Sequence, residues 1–162
     1  MSPTCGSQVV PIEEVPVEDA VETIDGRQVV MVVDDEPLVA DTLAMILRHA
    51  GYHAVRAYNA KTALEMANVR APDLLISDVA MPEMNGVELA LGMMAIAPEC
   101  KVVLFSGHAR SVDLMRAYDA GYDFPLMAKP MHPREMLGQV ARSLEQGTMR
   151  VGAEPELMRA SA

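Results

Sequence analysis

Five short apolar runs recur along the chain, each separated from the next by a stretch whose apolar residues repeat every three or four positions. The runs are VVMVV (29–33), HAVRAY (53–58), DLLIS (73–77), KVVLFS (101–106) and FPLMA (124–128). Runs that are apolar at consecutive positions suit strands buried on both faces, and the intervening period suits amphipathic helices. The first helix is expected to bury Val39, Leu43, Ile46, Leu47 and Ala50 and to end at Gly51. The last should bury Met136, Leu137, Val140, Ala141 and Leu144, and Gly121 should close the fourth. Strand–helix alternation with right-handed crossovers leaves one economical solution: an α/β fold with a five-stranded parallel sheet, doubly wound, in a three-layer sandwich. Pro125, inside the fifth run, removes a ladder donor and so places that strand at a sheet edge.

The alternation occupies residues 28–145 of 162. Residues 1–27 are acidic, broken by Pro and Gly, and read as a disordered arm with a short helix near Val17–Ile24. Residues 146–162 read as a loose tail. No apolar run approaches the roughly 20 residues that span a bilayer, and the N-terminus lacks the basic start and apolar core of a signal peptide. A cytoplasmic protein without a membrane partner is expected. The net charge of −10 and scattered Arg residues argue against nucleic acid, and the absence of Trp argues against base stacking. Two cysteines, Cys5 and Cys100, make no disulfide framework, and Cys100 reads as a plain thiol. The fourteen Met residues read as adaptable core filler.

In a doubly wound sheet, ligands sit beyond the carboxyl ends of the strands. The residues there are Asp34 and Asp35 after the first run, Asp78 after the third, Ser106 after the fourth and Lys129 after the fifth. Standing alone, Asp34, Asp35 and Glu36 would read as a helix start, since acids suit a helix N-terminus and Pro37 its first turn. With Asp78 in register, three carboxylates converge, which is untenable without a cation. Oxygen donors select a hard ion, and carboxylates with one carbonyl suit Mg²⁺; the backbone carbonyl of Ala80 is a candidate. Acids, one lysine and one hydroxyl describe a phosphoryl-transfer centre. In it Asp78 is the nucleophile and forms an acyl phosphate. Lys129 neutralises phosphoryl oxygens, and Ser106 donates a hydrogen bond to one of them.

The stretches VVDDEP, LLISDVAMPEMNGVEL, VVLFSG and AKP, in this order, closely resemble the receiver domain of bacterial two-component response regulators. The resemblance covers residues 28 to about 145. It implies a flavodoxin-like sandwich, and a phosphoryl group taken onto Asp78 from a sensor histidine kinase or a histidine phosphotransfer protein. It also implies Mg²⁺ held directly by Asp35 and Asp78, with Asp34 helping through water. Pro82 and Gly86 would shape the loop leaving the site, Gly86 through backbone angles that other residues resist. The Lys129–Pro130 peptide would be cis. Relatives place an aromatic residue three positions before the lysine. Here that position is Leu126, so Phe124 or Tyr122 is the candidate switch ring. Tyr118, Tyr122 and Phe124 are expected to be partly in the core. His108 reads as a solvated loop residue, and Arg110 and Arg116 as a solvated helix face. Ala80 neither blocks nor orients water, which predicts an intermediate phosphoryl lifetime.

The resulting expectation is a stand-alone response regulator, catalysing only its own phosphorylation and dephosphorylation. It would signal by phosphorylation-dependent protein binding through the face of helix four, strand five and helix five, or by phosphorelay. The rival is a degenerate receiver that binds proteins without turning over phosphate. A phosphatase of the haloacid dehalogenase type is disfavoured. Those enzymes resemble this chemistry but carry a second Asp two residues after the nucleophile, where this chain has Ala80.

Overall fold

A computed structural model of the chain describes residues 26–107 and 112–146. The acidic arm with its expected helix, Cys5, His108, Arg110 and the tail beyond Gln146 lie outside the described residues. Strands and helices alternate as β1 (Val29–Val33), α1 (Pro37–His49), β2 (His53–Ala57), α2 (Ala60–Val69), β3 (Leu74–Asp78), α3 (Gly86–Ile96), β4 (Lys101–Ser106), α4 (Val112–Asp119), β5 (Leu126–Ala128) and α5 (Pro133–Gln146). The sheet order is β2-β1-β3-β4-β5, and every neighbouring pair is parallel. This is the expected five-stranded doubly wound sandwich.

Two core clusters, one per face, explain why the runs are apolar throughout. Val29, Met31 and Val33 of β1 pack with Leu75, Val102 and Leu104 beneath α2, α3 and α4. Val30 and Val32 pack with Leu74, Ile76, Val103 and Phe105 beneath α1 and α5. The period of two along each strand thus feeds both layers. Each large side chain buried this way contributes about 1.5–3 kcal/mol.

Helix ends follow local chemistry. Asn59 caps α2 by accepting the Thr62 N–H at 2.8 Å, and Asn85 with Glu88 forms a capping box at the start of α3. Gly51 and Gly121, with φ of +99° and +94°, take the left-handed turns that end α1 and α4. The small residues Ala60, Ala63 and Ala67 form the buried side of α2.

Three expectations are corrected. The buried stripe of α1 is Ala40, Ala44 and Leu47; Val39, Leu43 and Ile46 are half-buried and Ala50 is exposed. Val39, Leu43 and Ile46 instead line an apolar groove of about 570 Å³ between α1 and the start of α5, together with Phe105, Pro130 and Met136. In α5 the buried positions are Met136, Val140 and Ser143, with Leu137, Ala141 and Leu144 half-buried. β5 keeps only three residues of its run, and Pro125 stands just ahead of it. Pro125 still meets the sheet as an acceptor only, its carbonyl taking the Leu104 N–H at 2.9 Å, and β5 is an edge strand as expected.

Candidate functional site

The strand order reverses its winding between β1 and β3, so the crevice of this fold opens between their carboxyl ends. Asp34 and Asp35 follow β1 and Asp78 ends β3. One oxygen from each of the three carboxylates lies within 4.8 Å of the others. Asp34 and Asp78 are buried, while Asp35 is exposed.

Each acid is held differently. The Asp34 N–H donates to the Ala57 carbonyl at 3.3 Å, continuing the β1–β2 ladder. Its Oδ1 accepts the Glu36 N–H at 2.9 Å, a local turn that Asp favours. Glu36 is then the extended N-cap residue of α1, with Pro37 in the first turn. The acids thus stand where a helix starts, a placement compatible with the cation-site reading. Asp78 Oδ1 accepts the Ala80 N–H at 3.2 Å, and Val79 N–H continues the ladder to the Phe105 carbonyl at 2.8 Å.

Lys129 closes the crevice from the far side. Its Nζ lies 3.0 Å from Asp78 Oδ2 and 3.5 Å from Asp34 Oδ2. The Lys129 N–H donates to the Ser106 carbonyl at 3.0 Å, which fixes where the side chain starts. Ser106 is buried at the end of β4. The Lys129–Pro130 peptide is cis, as the resemblance implied.

Burial raises the Asp34 pKa above the usual carboxylate range, and the nearby Asp78 and Asp35 charges push the same way. The Glu36 N–H and the Lys129 charge pull against them without prevailing. For Lys129, burial alone would lower the pKa. The hydrogen bond to Asp78 and the charges of Asp34 and Asp78 outweigh it, so the ammonium is held above its ordinary value. Three carboxylates thus share one ammonium.

The donor set fits a hard divalent cation. It offers only oxygens, and oxygens within 4.8 Å of one another need little movement to reach an ion with ligands at about 2.1 Å. Asp34 Oδ1 is committed to Glu36, while Asp35 is exposed and Ala80 sits at the mouth, also exposed.

The loop leaving the site corrects one physical reason. The φ of Gly86 is not positive; the strained residue is Glu83, with φ of +66°. Glycine is needed at 86 for space, because a side-chain carbon there would overlap the carbonyl oxygen of Asp78. The Gly86 N–H also donates to the Val79 carbonyl at 2.9 Å. Of the aromatic residues, Phe124 is buried and stacks on half-buried Tyr122 at 5.8 Å between ring centres. Tyr118, expected partly in the core, is 53% exposed, and Leu126 is 36% exposed. Arg116 is solvated, with Asp113 at 3.9 Å. Sequence reasoning missed the apolar groove beside Lys129 and the Asn85 contact to α4 described below. The first had a signal in the half-buried period of α1; the second had none.

A family model described as the response regulator receiver domain matches residues 30–141. The chain is 31% identical over 115 residues to the response regulator receiver protein CpdR of Brucella abortus, covering 71% of this chain and 95% of that one. It is 31% identical to the transcriptional regulatory protein CreB of Escherichia coli, covering 74% of this chain but only 52% of that relative. Among solved structures, a CheY-like receiver domain protein from Methanospirillum hungatei is similar at a TM-score of 0.68 and 26% identity, over 74% of this chain and 94% of that one. The receiver domain of the hybrid histidine kinase CckA is similar at 0.60 and 28%, over 72% and 98%.

Proposed function

Since this chain belongs to the response regulator receiver family, we propose that Asp78 accepts a phosphoryl group from a histidine kinase or a histidine phosphotransfer protein. The observation that carries the reading is the crowding of Asp34, Asp35 and Asp78 around one point, with Lys129 Nζ 3.0 Å from Asp78. An Asp78 carboxylate oxygen attacks phosphorus, the P–N bond to the donor imidazole breaks, and the imidazole leaves with its electron pair. The product is an acyl phosphate, which water later hydrolyses to return the carboxylate and inorganic phosphate.

The chain's own residues do three things in that step. Asp78 is oriented by the Ala80 N–H and by Lys129. Lys129 also supplies a positive charge for the phosphoryl oxygens, and the hydroxyl of Ser106, at the end of β4, would donate to one of them. Asp35, Asp78 and the Ala80 carbonyl would hold Mg²⁺ directly. Asp34, with one oxygen already engaged, would assist through water. When bound, the ion neutralises charge on the transferring group.

Phosphorylation then biases a two-state equilibrium read by another protein. The surface is that of α4, β5 and α5, where Val112, Met115, Tyr118 and Leu126 are exposed. The Tyr122–Phe124 pair, packed with the cluster that holds α4, is the assigned ring element. Leu126 in place of the family's aromatic favours the rival, a binding module indifferent to phosphate.

Incubation with acetyl phosphate and Mg²⁺ followed by intact mass tests the reading. The wild type should gain one base-labile phosphoryl group and Asp78→Asn none. An unmodified wild type would reject the proposal and leave the binding module.

A further inference from the structure

α4 is lightly attached. Of its eight residues only Ala117 is buried; Leu114 is half-buried, and Val112, Met115 and Tyr118 are 64%, 63% and 53% exposed. Its first turn, however, is tied to the loop that leaves Asp78. Asn85 Nδ2 donates to Asp113 Oδ2 at 3.1 Å, a contact spanning 28 positions. The direction of that bond is fixed by the helix cap. Asn85 Oδ1 accepts the Glu88 N–H at 2.9 Å, and Glu88 Oε2 accepts the Asn85 N–H at 3.0 Å. With the amide oxygen committed to α3, its NH₂ group must face α4, where it meets a carboxylate. Charge-assisted bonds of this kind are stronger than neutral ones.

Asn85 is also the residue before Gly86, which packs on the carbonyl of Asp78. One amide therefore joins the cap of α3 to the first turn of α4, one residue from the backbone behind Asp78. We propose that Asn85 and Asp113 form a latch that holds α4 against the β3–α3 loop, and that opening it frees α4 and favours the phosphorylated form of the site. The first half stands on the contact itself; the second rests on Asp78 being the phosphoacceptor. In the latch so proposed the bond is intact in one arrangement and broken in the phosphorylated one, so removing it reduces what a phosphoryl group must supply to shift the balance.

The test uses the full chain and three variants. Asn85→Asp preserves the cap, because Asp caps as well as Asn, but sets two carboxylates against each other. Asp113→Asn in that background restores a donor–acceptor pair with its direction reversed. The Asp113→Ala variant removes the acceptor without touching the cap. Without ligand, amide hydrogen exchange across α4 should be about tenfold faster in Asn85→Asp and Asp113→Ala, as expected for losing one hydrogen bond to a charged group. α3 should be unaffected, and the double variant should return α4 close to wild type. Beryllofluoride with Mg²⁺, a phosphoryl mimic, should bind several-fold more tightly to both single variants than to wild type or the double variant.

Unchanged α4 exchange in the single variants, no recovery in the double variant, or equal acceleration in α3 would overturn the latch. Equal beryllofluoride affinity in all four proteins would overturn its coupling to the site. If none of them binds beryllofluoride while the α4 pattern holds, the latch stands and the phosphoacceptor reading falls.

Discussion

The two ends of one sheet handle their ionisable groups in opposite ways. At the amino end, Asp73 Oδ2 accepts the Val29 N–H at 2.7 Å, its own N–H reaches the Val29 carbonyl at 2.9 Å, and its carbonyl takes the Lys101 N–H at 3.0 Å. Cys100, also at that end, is buried as a neutral thiol with its pKa pushed up to about 12 by desolvation. At the carboxyl end, three acids crowd together with one lysine. Burial acts at both ends. At the amino end the buried group, Cys100, stays neutral and the exposed Asp73 is engaged by backbone groups, which favours stability. The carboxyl end gathers three carboxylates beside one ammonium, a donor set that fits a hard cation.

The sharpest way to break this comparison is alkaline pH. An unfolded Cys100 thiol ionises near its ordinary value of 9.0, whereas the folded one holds its proton to about 12. The stabilisation is therefore complete below pH 9 and is lost as pH rises through 12. The loss should reach roughly 4 kcal/mol relative to Cys100→Ala, whose stability should fall less steeply over the same window. Urea unfolding of both proteins from pH 8 to 11 measures the difference in slope; parallel curves would show that the amino end is not sealed as described.

The carboxyl end should respond to the ion. Free Mg²⁺ at 100 times its Kd should stabilise the wild type by about 2.7 kcal/mol, seen as a rise in Tm. Asp35→Asn and Asp78→Asn should each remove most of that rise. A Tm indifferent to Mg²⁺ would mean the acids are compensated some other way. Smaller again, Asp73→Ala should cost about 1.5 kcal/mol for the lost bond to Val29 while leaving the Mg²⁺ response intact, which separates the two ends by mutation. Least of all, Leu126→Ala on the exposed edge should change stability by under about 0.5 kcal/mol. A larger loss would show that β5 carries more of the fold than its three residues suggest.

Much of this arrangement was legible in the chain itself. Strand-end positions follow from where apolar runs stop, so Asp34, Asp35, Asp78, Ser106 and Lys129 could be placed on one rim before any coordinates. Gly51 and Gly121 were readable because a left-handed helix end selects glycine. What was not legible depends on distances between segments. Of the expected α1 stripe, Val39, Leu43, Ile46, Leu47 and Ala50, only Leu47 is buried; Ala40 and Ala44 pack beside it, and Val39, Leu43 and Ile46 are left to a groove. Periodicity gives a face but not its rotation to within one residue. Gly86 was assigned a special backbone angle when its role is clearance under Asp78. The Asn85–Asp113 bond joins residues 28 positions apart and left no local trace. Phe124 was expected within the fifth strand and instead precedes it, buried against Tyr122.

The absence of room behind Asp78 has a mechanical corollary. With Gly86 pressed on its carbonyl, the peptide there is a hard stop, while across the rim β5 is short and lies at the open margin of the sheet. Steric freedom is therefore unequal across the rim: close-packed backbone stands at Gly86 on one side, and a three-residue edge strand on the other.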